Sequence, residues 1–401
     1  MKIGIIREGK NPPDKRTALA PQHCAELMLR YPALTIVAQT SKVRCFTDED
    51  YAAQGIAVVD DIQDCDLIIG VKEVPTAMMV PNSTMMFFSH TIKKQPHNRE
   101  LLQDVVAKNI RLIDYECLTD NLGRRLLGFG RYAGIVGAYN ALLAFGNRTS
   151  TYQLRPAHQC NSIAEMHQEL KKMNLKNERI IVSGGGKVAN GVRETMKAAG
   201  IIEVSIPEFL NKDFEFPVWC NADVLDYHEH DGKPPESIDA FIRDSAKYTN
   251  TFKKFLSKAD IYISAHFWDG RSAPFFTPED VKADDFRPRI IADITCDVQG
   301  SVPTTLRSST IANPIYGYGR FTEKEAEPYA NDSITIMAVD NLPCEVPMDA
   351  SIGFSAELTE RIIPLFIGND TQKVLERATI VQDGKLTPQF RYLEDYIEAV
   401  Q

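Results

Sequence analysis

At 401 residues the chain is longer than one hydrophobic core usually organises, so two domains are expected. Apolar residues make up 44% and charged residues 25%, a globular balance that argues against disorder. The formal net charge of −9 argues against nucleic acid as the main partner, because phosphate binding needs a basic surface. Local basic pockets for anionic small substrates remain compatible with it.

The start, Met1-Lys2-Ile3-Gly4-Ile5-Ile6, reads as a short buried strand, not as a signal peptide's charged head and long apolar stretch. No apolar run approaches the ~20 residues of a membrane helix. Cys24, Cys45, Cys65, Cys117, Cys160, Cys220, Cys296 and Cys344 are scattered without a Cys-x-x-Cys pair, as expected of reduced thiols in a cytoplasmic protein. Strands are predicted at 2–6, 34–40, 66–72, 84–89 and 110–116, several continuous enough to be buried on both faces. A helix is predicted over 21–30, with Pro21 in its first turn and Tyr31-Pro32 ending it. This alternation predicts a mainly parallel sheet covered by helices.

A second unit is expected after Ala133-Gly134-Ile135-Val136-Gly137-Ala138, whose small residues suit a linking helix that packs closely. Further strands are predicted at 179–183, 201–206, 261–265, 290–294 and 334–339. The polar stretch 226–237 reads as an exposed loop. His228-Glu229-His230 within it lacks a third ligand at convincing spacing, so no metal site is expected. Over 350–366, Phe354, Leu358, Ile362 and Phe366 recur every four residues, predicting an amphipathic helix capped by Asp349 or Ser351.

Ile180-Ile181-Val182-Ser183-Gly184-Gly185-Gly186-Lys187-Val188-Ala189 is a strand, a glycine turn and a helix start. Gly184, Gly186 and Ala189 fit G-x-G-x-x-G/A: a tight turn, close approach of a diphosphate, and close helix–strand packing. The helix N-terminus offers free N–H groups to that diphosphate. Gly200 is placed to stop the helix. Glu208 lies at the distance expected of the acid that binds the adenosine ribose, which would favour NAD over NADP; a solvated loop carboxylate is the competing reading.

Four clusters precede this turn. They are Asp14-Lys15-Arg16-Thr17-Ala18-Leu19-Ala20-Pro21, Gly70-Val71-Lys72-Glu73, Phe87-Phe88-Ser89-His90-Thr91-Ile92-Lys93-Lys94-Gln95, and Gly123-Arg124-Arg125 with Phe129-Gly130-Arg131-Tyr132-Ala133-Gly134. In this order, and followed by the glycine turn, they resemble the saccharopine dehydrogenase and lysine–2-oxoglutarate reductase family, within the superfamily of alanine dehydrogenase and the transhydrogenase nucleotide-binding subunit. Residues 87–95, 110–116 and Asp340-Asn341-Leu342-Pro343 resemble the reductase half of the bifunctional lysine-degrading enzyme. The resemblance implies an α/β fold of two Rossmann-like domains with a cleft between them, the second carrying NAD or NADP. It implies a discontinuous substrate domain (1–132 and 345–401) around a dinucleotide domain (133–344). It implies Lys72 and His90 as the acid–base pair, and Arg16, Gln95, Arg125 and Phe129 in the substrate site. Arg124, Asp340, Asn341 and Leu342 would lie near the cofactor.

The chemistry asks for such groups. Joining the lysine side-chain amine to 2-oxoglutarate requires a neutral amine, although its free pKa is about 10.4. A base must take that proton, and an acid must help the carbinolamine lose water before hydride adds to the imine carbon. A desolvated Lys72, its pKa lowered further by a cation such as Arg16, and His90 suit those tasks. Two alternatives are another amino-acid or opine dehydrogenase of the superfamily, and a non-catalytic nucleotide-binding subunit that would need none of these side chains. One departure stands out: Ser264-Ala265-His266-Phe267-Trp268 replaces the family's usual Asn-Gly pair. His266 there is read either as an added polar contact near nicotinamide and substrate or as a packed histidine.

Overall fold

The computed structural model describes residues 1–399. They form two compact units, one comprising Met1–Phe129 and the chain from Pro347 onward, the other Gly130–Val346.

The first unit is built on a sheet of β1 (Lys2–Ile5), β2 (Thr35–Gln39), β3 (Ala57–Val59), β4 (Leu67–Ile69), β5 (Thr84–Phe87) and β6 (Arg111–Asp114). The returning segment adds β17 (Thr379–Gln382) and β18 (Lys385–Leu386), giving the order β18-β17-β6-β5-β4-β1-β2-β3. Strands β6 to β3 run parallel, and β17 pairs antiparallel with both β6 and β18. Leu67, Ile68 and Ile69 are buried, as a central parallel strand covered on both faces requires. The helix Pro21–Arg30 packs beside Pro347–Arg361, whose Phe354 and Leu358 enter the same core.

The second unit contains β7 (Arg179–Ser183), β8 (Ile202–Glu203), β9 (Val218–Ala222), β10 (His228–Glu229), β11 (Thr249–Asn250), β12 (Ile261–Ser264), β13 (Ile290–Asp293), β14 (Ile315–Gly319), β15 (Glu325–Ala326) and β16 (Ser333–Met337). Its main sheet runs β15-β14-β16-β13-β12-β7-β9-β8, with β10 and β11 forming a separate hairpin. Strands β16 to β8 are parallel. The chain therefore reverses its direction of winding between β1 and β4 in one sheet and between β7 and β12 in the other. In such sheets ligands bind outside the carboxyl ends of the strands at that switch point.

Besides the unpredicted strands β3, β11, β14, β15, β17 and β18, four segments differ from the sequence expectation. Residues 201–206 supply only the two-residue edge strand β8, because Ser205 caps the helix Ile206–Asn211. β7 pairs with β12 on one side and with β9 on the other, and β9 is not among the predicted strands. The stretch 226–237 is not simply an exposed loop: His228 is buried and pairs with Asn250 in the hairpin. The helix expected over 350–366 starts at Pro347 and breaks at Ile362 before Ile363–Ile367, so Asp349 and Ser351 lie inside it. The Ser351 hydroxyl instead accepts the N–H of Thr17 at 2.9 Å.

Candidate functional site

Three strand ends of the first unit converge at its switch point. Glu8 follows β1, Lys72 and Glu73 follow β4, and His90 follows β5, all on the carboxyl edge of adjacent strands. His90 Nδ1 lies 2.5 Å from Glu73 Oε1, and Lys10 Nζ donates to Glu73 Oε2 at 2.8 Å. Burial opposes charge on Glu73, yet its bonds to His90 and Lys10 outweigh that and hold the carboxyl well below its usual range. The His90 backbone is left-handed (φ 53°), a conformation uncommon for a residue with a side chain. The buried carboxylate of Asp114, at the end of β6, steadies the preceding residue by accepting the Ser89 N–H at 2.9 Å.

Lys72 differs from the other cations here. Its ammonium finds no hydrogen bond or ion pair among the described residues. Burial, then the neighbouring Arg16 charge, lower its pKa below that of an ordinary lysine. Arg16 is itself buried and held by Asp14 through two bonds, Nε to Oδ1 at 3.0 Å and one terminal nitrogen to Oδ2 at 2.6 Å. The Arg16 guanidinium lies 4.2 Å over the ring of Phe129, which stacks at 4.5 Å on Phe354. Phe88, 6.1 Å from Phe129, is 6.2 Å from the His90 ring. Arg16, Lys72, His90 and Phe129 thus belong to one neighbourhood.

Glu8, which the sequence reading passed over, shapes that neighbourhood. Its two oxygens accept the N–H groups of Val71, at 2.7 Å, and Lys72, at 3.1 Å, pinning the β4 end. Burial pushes its pKa up to about 8, so at neutral pH it is largely protonated and offers Lys72 little counter-charge. An acid whose pKa rises on folding loses stability as pH climbs from its unfolded value, near 4.5, through its folded value. The melting temperature of Glu8→Gln should therefore gain on that of the native protein as pH is raised from about 5 to about 8. Parallel melting curves across that range check this; a constant difference would contradict it.

The other expected residues lie apart. Arg125 is half exposed and contacts Glu116 at 3.2 Å, a carboxylate shared with Lys93 at 3.5 Å. Arg124 is exposed and paired with Asp120 at 2.7 Å. Gln95 is exposed in a short turn, where its backbone oxygen accepts the Tyr396 hydroxyl. In the second unit Asp340 is exposed at the end of β16 and 3.9 Å from the Cys296 sulfur. The Asn341 carbonyl starts a short helical turn, and Leu342 is buried against the helix Gly130–Thr149.

The second unit holds a cavity of about 440 Å³, within the ~300–1,000 Å³ of small-molecule sites. Its wall joins the glycine turn to the ends of β9 and β12. Gly184 has φ +107°, and a β-carbon there would stand 2.5 Å from the Ala265 carbonyl oxygen. Gly186, by contrast, faces open space and caps the 12-residue helix Lys187–Ala198. Ala189 is buried beneath the turn, and Gly200, at φ +71°, ends the helix. A tight turn, an open glycine and a helix N-terminus without a side-chain cap fit a dinucleotide's diphosphate.

Glu208 is not part of this wall. It sits third in the helix Ile206–Asn211, closes a capping box with Ser205 and pairs with Lys212 at 3.0 Å. The acid that does line the cavity is Asp223, directly after β9; its Oδ2 lies 2.1 Å from where a Gly185 β-carbon would be. His266 is a packed histidine. Its ring stacks 3.9 Å from Phe275, and its two nitrogens meet the hydroxyls of Ser183 at 2.8 Å and Ser301 at 2.7 Å. Burial lowers its pKa to about 3, so the ring is neutral.

The chain matches the description "Alanine dehydrogenase/PNT, N-terminal domain" over residues 4–136 and "Alanine dehydrogenase/PNT, C-terminal domain" over residues 179–390. It belongs to the alanine dehydrogenase/PNT family. Among solved structures, an L-alanine dehydrogenase shares the fold of this family member, with a TM-score of 0.67 at 18% identity, covering 99% of this chain and 100% of that one. The alpha-aminoadipic semialdehyde synthase of Arabidopsis thaliana is 28% identical over 98% of this chain but 41% of its own length. The chain thus spans less than half of such relatives. The saccharopine dehydrogenase [NAD(+), L-lysine-forming] of Yarrowia lipolytica is 24% identical over 94% of this chain and 96% of its own. Among the described residues no helix is long and apolar enough to cross a membrane.

Proposed function

We propose that this family member is a nicotinamide-dependent saccharopine dehydrogenase, reversibly condensing lysine with 2-oxoglutarate. The observation that carries the reading is Lys72: a half-buried amine with a lowered pKa and no direct ion pair among the described residues, just after the strand beside the one that leads to His90. In this reading Lys72 takes a proton from the substrate's side-chain ammonium, freeing its lone pair to attack the keto carbon. His90, oriented through Nδ1 by Glu73, presents Nε2 as the acid that protonates the departing hydroxyl of the carbinolamine. Arg16 and Arg125 provide the positive charge for substrate carboxylates, Arg125 by turning away from its single contact with Glu116. In this reading Gln95 and Phe129 belong to the substrate site and Arg124 to the cofactor side. A reduced nicotinamide, when bound, supplies the hydride for the imine carbon.

Gly184, Gly186, Ala189 and the helix behind them would hold the diphosphate, with Asp340, Asn341 and Leu342 at the far strand end. Asp223 takes the ribose role expected of Glu208. A carboxylate there accepts the 2′-hydroxyl and repels a 2′-phosphate, which favours NAD over NADP. The full chain, given lysine and 2-oxoglutarate, should oxidise NADH at least about tenfold more efficiently than NADPH, followed by loss of absorbance. Turnover with pyruvate and ammonia, but none with lysine and 2-oxoglutarate, would replace the substrate assignment. Dinucleotide binding without turnover on any amino acid would mean a silent subunit.

A further inference from the structure

Among the side chains that line the cavity beside the glycine turn, one has a buried polar atom without a partner. His228 lines it and is only 5% exposed. Its Nδ1 lies 3.1 Å from the backbone carbonyl oxygen of Val224. A carbonyl only accepts, so Nδ1 carries the ring proton and Nε2 presents a lone pair. Burial lowers the pKa of His228 to about 4, which keeps the ring neutral and that tautomer in place. Nε2 is buried with no hydrogen-bond partner. Asn250, the residue opposite in the hairpin, also leaves its amide nitrogen unpaired, so the two do not satisfy each other. Buried acceptors without a donor are rare and costly, and such a group in a cavity wall points to a donor on the ligand.

The surroundings define the ligand's shape. Phe241 covers the His228 ring at 4.3 Å, and Ile238 and Ile242 (45% exposed) and Phe267 (80% exposed) rim the opening. A wall of flat and branched apolar groups with one buried, unpartnered acceptor suits a heteroaromatic ring bearing an N–H donor. His228 lies five residues beyond Asp223, on the side of the glycine turn where a doubly wound sheet receives the adenosine half of a dinucleotide.

We propose that His228 Nε2 accepts a hydrogen bond from the exocyclic amino group of the cofactor's adenine, so that the protein selects adenine over 6-oxopurine dinucleotides. This rests on the dinucleotide reading above. Adenine carries its donor on that exocyclic nitrogen; hypoxanthine carries an acceptor oxygen in the same place, which would set two lone pairs against each other. Phe241, on the short helix Ile238–Arg243, is the part of the wall that shifts to admit the base.

The test titrates NADH and its hypoxanthine analogue, deamino-NADH, into the full chain, following the fluorescence of the reduced nicotinamide. The native protein should bind deamino-NADH about 10- to 100-fold more weakly. His228→Phe keeps a ring but removes the acceptor. It should weaken NADH by a similar factor and bring the two dissociation constants together. Equal affinities for the native protein would overturn the proposal while leaving the cofactor reading intact, and so would full discrimination retained by His228→Phe. Failure to bind either dinucleotide would overturn the cofactor reading and this proposal with it. The native comparison needs no variant, so it decides even if His228→Phe does not fold.

Discussion

Lys72→Met should fold, bind the dinucleotide normally and turn over about 10²–10⁴ times more slowly than the native protein. The fold should tolerate the change because Lys72 contributes a partly desolvated amine without an ion-pair partner among the described residues, and exchanging such a group for an apolar one of similar length removes a desolvation cost. The melting temperature should stay level or rise. That pairing of intact stability with lost turnover is what separates a proton carrier from a scaffold residue. His90→Gln should also slow turnover, and because the two groups act on one substrate the double variant should fall well short of the product of the two effects. Steady-state rates with melting curves check all three proteins. Native turnover in Lys72→Met would remove Lys72 from the chemistry.

The pH behaviour follows from the same geometry. A lysine whose pKa is lowered by burial and by Arg16 holds a larger neutral fraction at a given pH than one in water. Only the neutral form takes a proton, so condensation should rise with pH through that lowered pKa and level off earlier than an unperturbed lysine would allow. Glu8 reinforces the effect by remaining mostly protonated below about pH 8, rather than adding a negative charge beside the amine.

What the sequence made legible was local. Gly184, Gly186 and Ala189 read correctly as strand, turn and helix start because all three physical requirements lie within ten residues. The strand ends at Lys72 and His90 are likewise marked by the apolar runs before them. Glu8 and Glu73 were harder to see. Glu8 acts on a backbone 63 residues away, and Glu73 orients a ring 17 residues away, so only strand adjacency makes them partners. That Glu208 lies away from the cavity wall has a different cause. Ile201–Ile206 is more β-branched than Val218–Ala222, and propensity alone favoured the wrong segment. A signal was nonetheless present: Ser205-x-x-Glu208 is a capping box with Pro207 in its first turn, which marks a helix start. Glu208 is committed to that helix, and the strand beside β7 is β9, which ends next to Asp223.

Gly191→Leu should be among the most damaging single changes in the second unit. The helix Gly130–Thr149 is apolar on all sides and lies across the helix that begins at the glycine turn. Each contributes a glycine to the crossing: a β-carbon at Gly134 would stand 1.9 Å from the Val188 oxygen, and one at Gly191 2.0 Å from the Arg131 oxygen. Backbone meets backbone there, so neither side can yield by changing a rotamer. A leucine must push the helices apart, and overpacking of this kind costs about 1–3 kcal/mol where side chains can adjust and more where they cannot. For a unit of this size about 3 kcal/mol lowers the melting temperature by roughly 6–12 °C. The same separation lifts the N-terminus of Lys187–Ala198 away from the diphosphate position, so whatever protein remains folded should gain little stability from added NADH. A surface change on the same helix, Lys197→Leu, should lack both effects. Thermal unfolding of the two variants with and without NADH separates the outcomes, and native-like melting of Gly191→Leu would mean that the helices do not cross as closely as described.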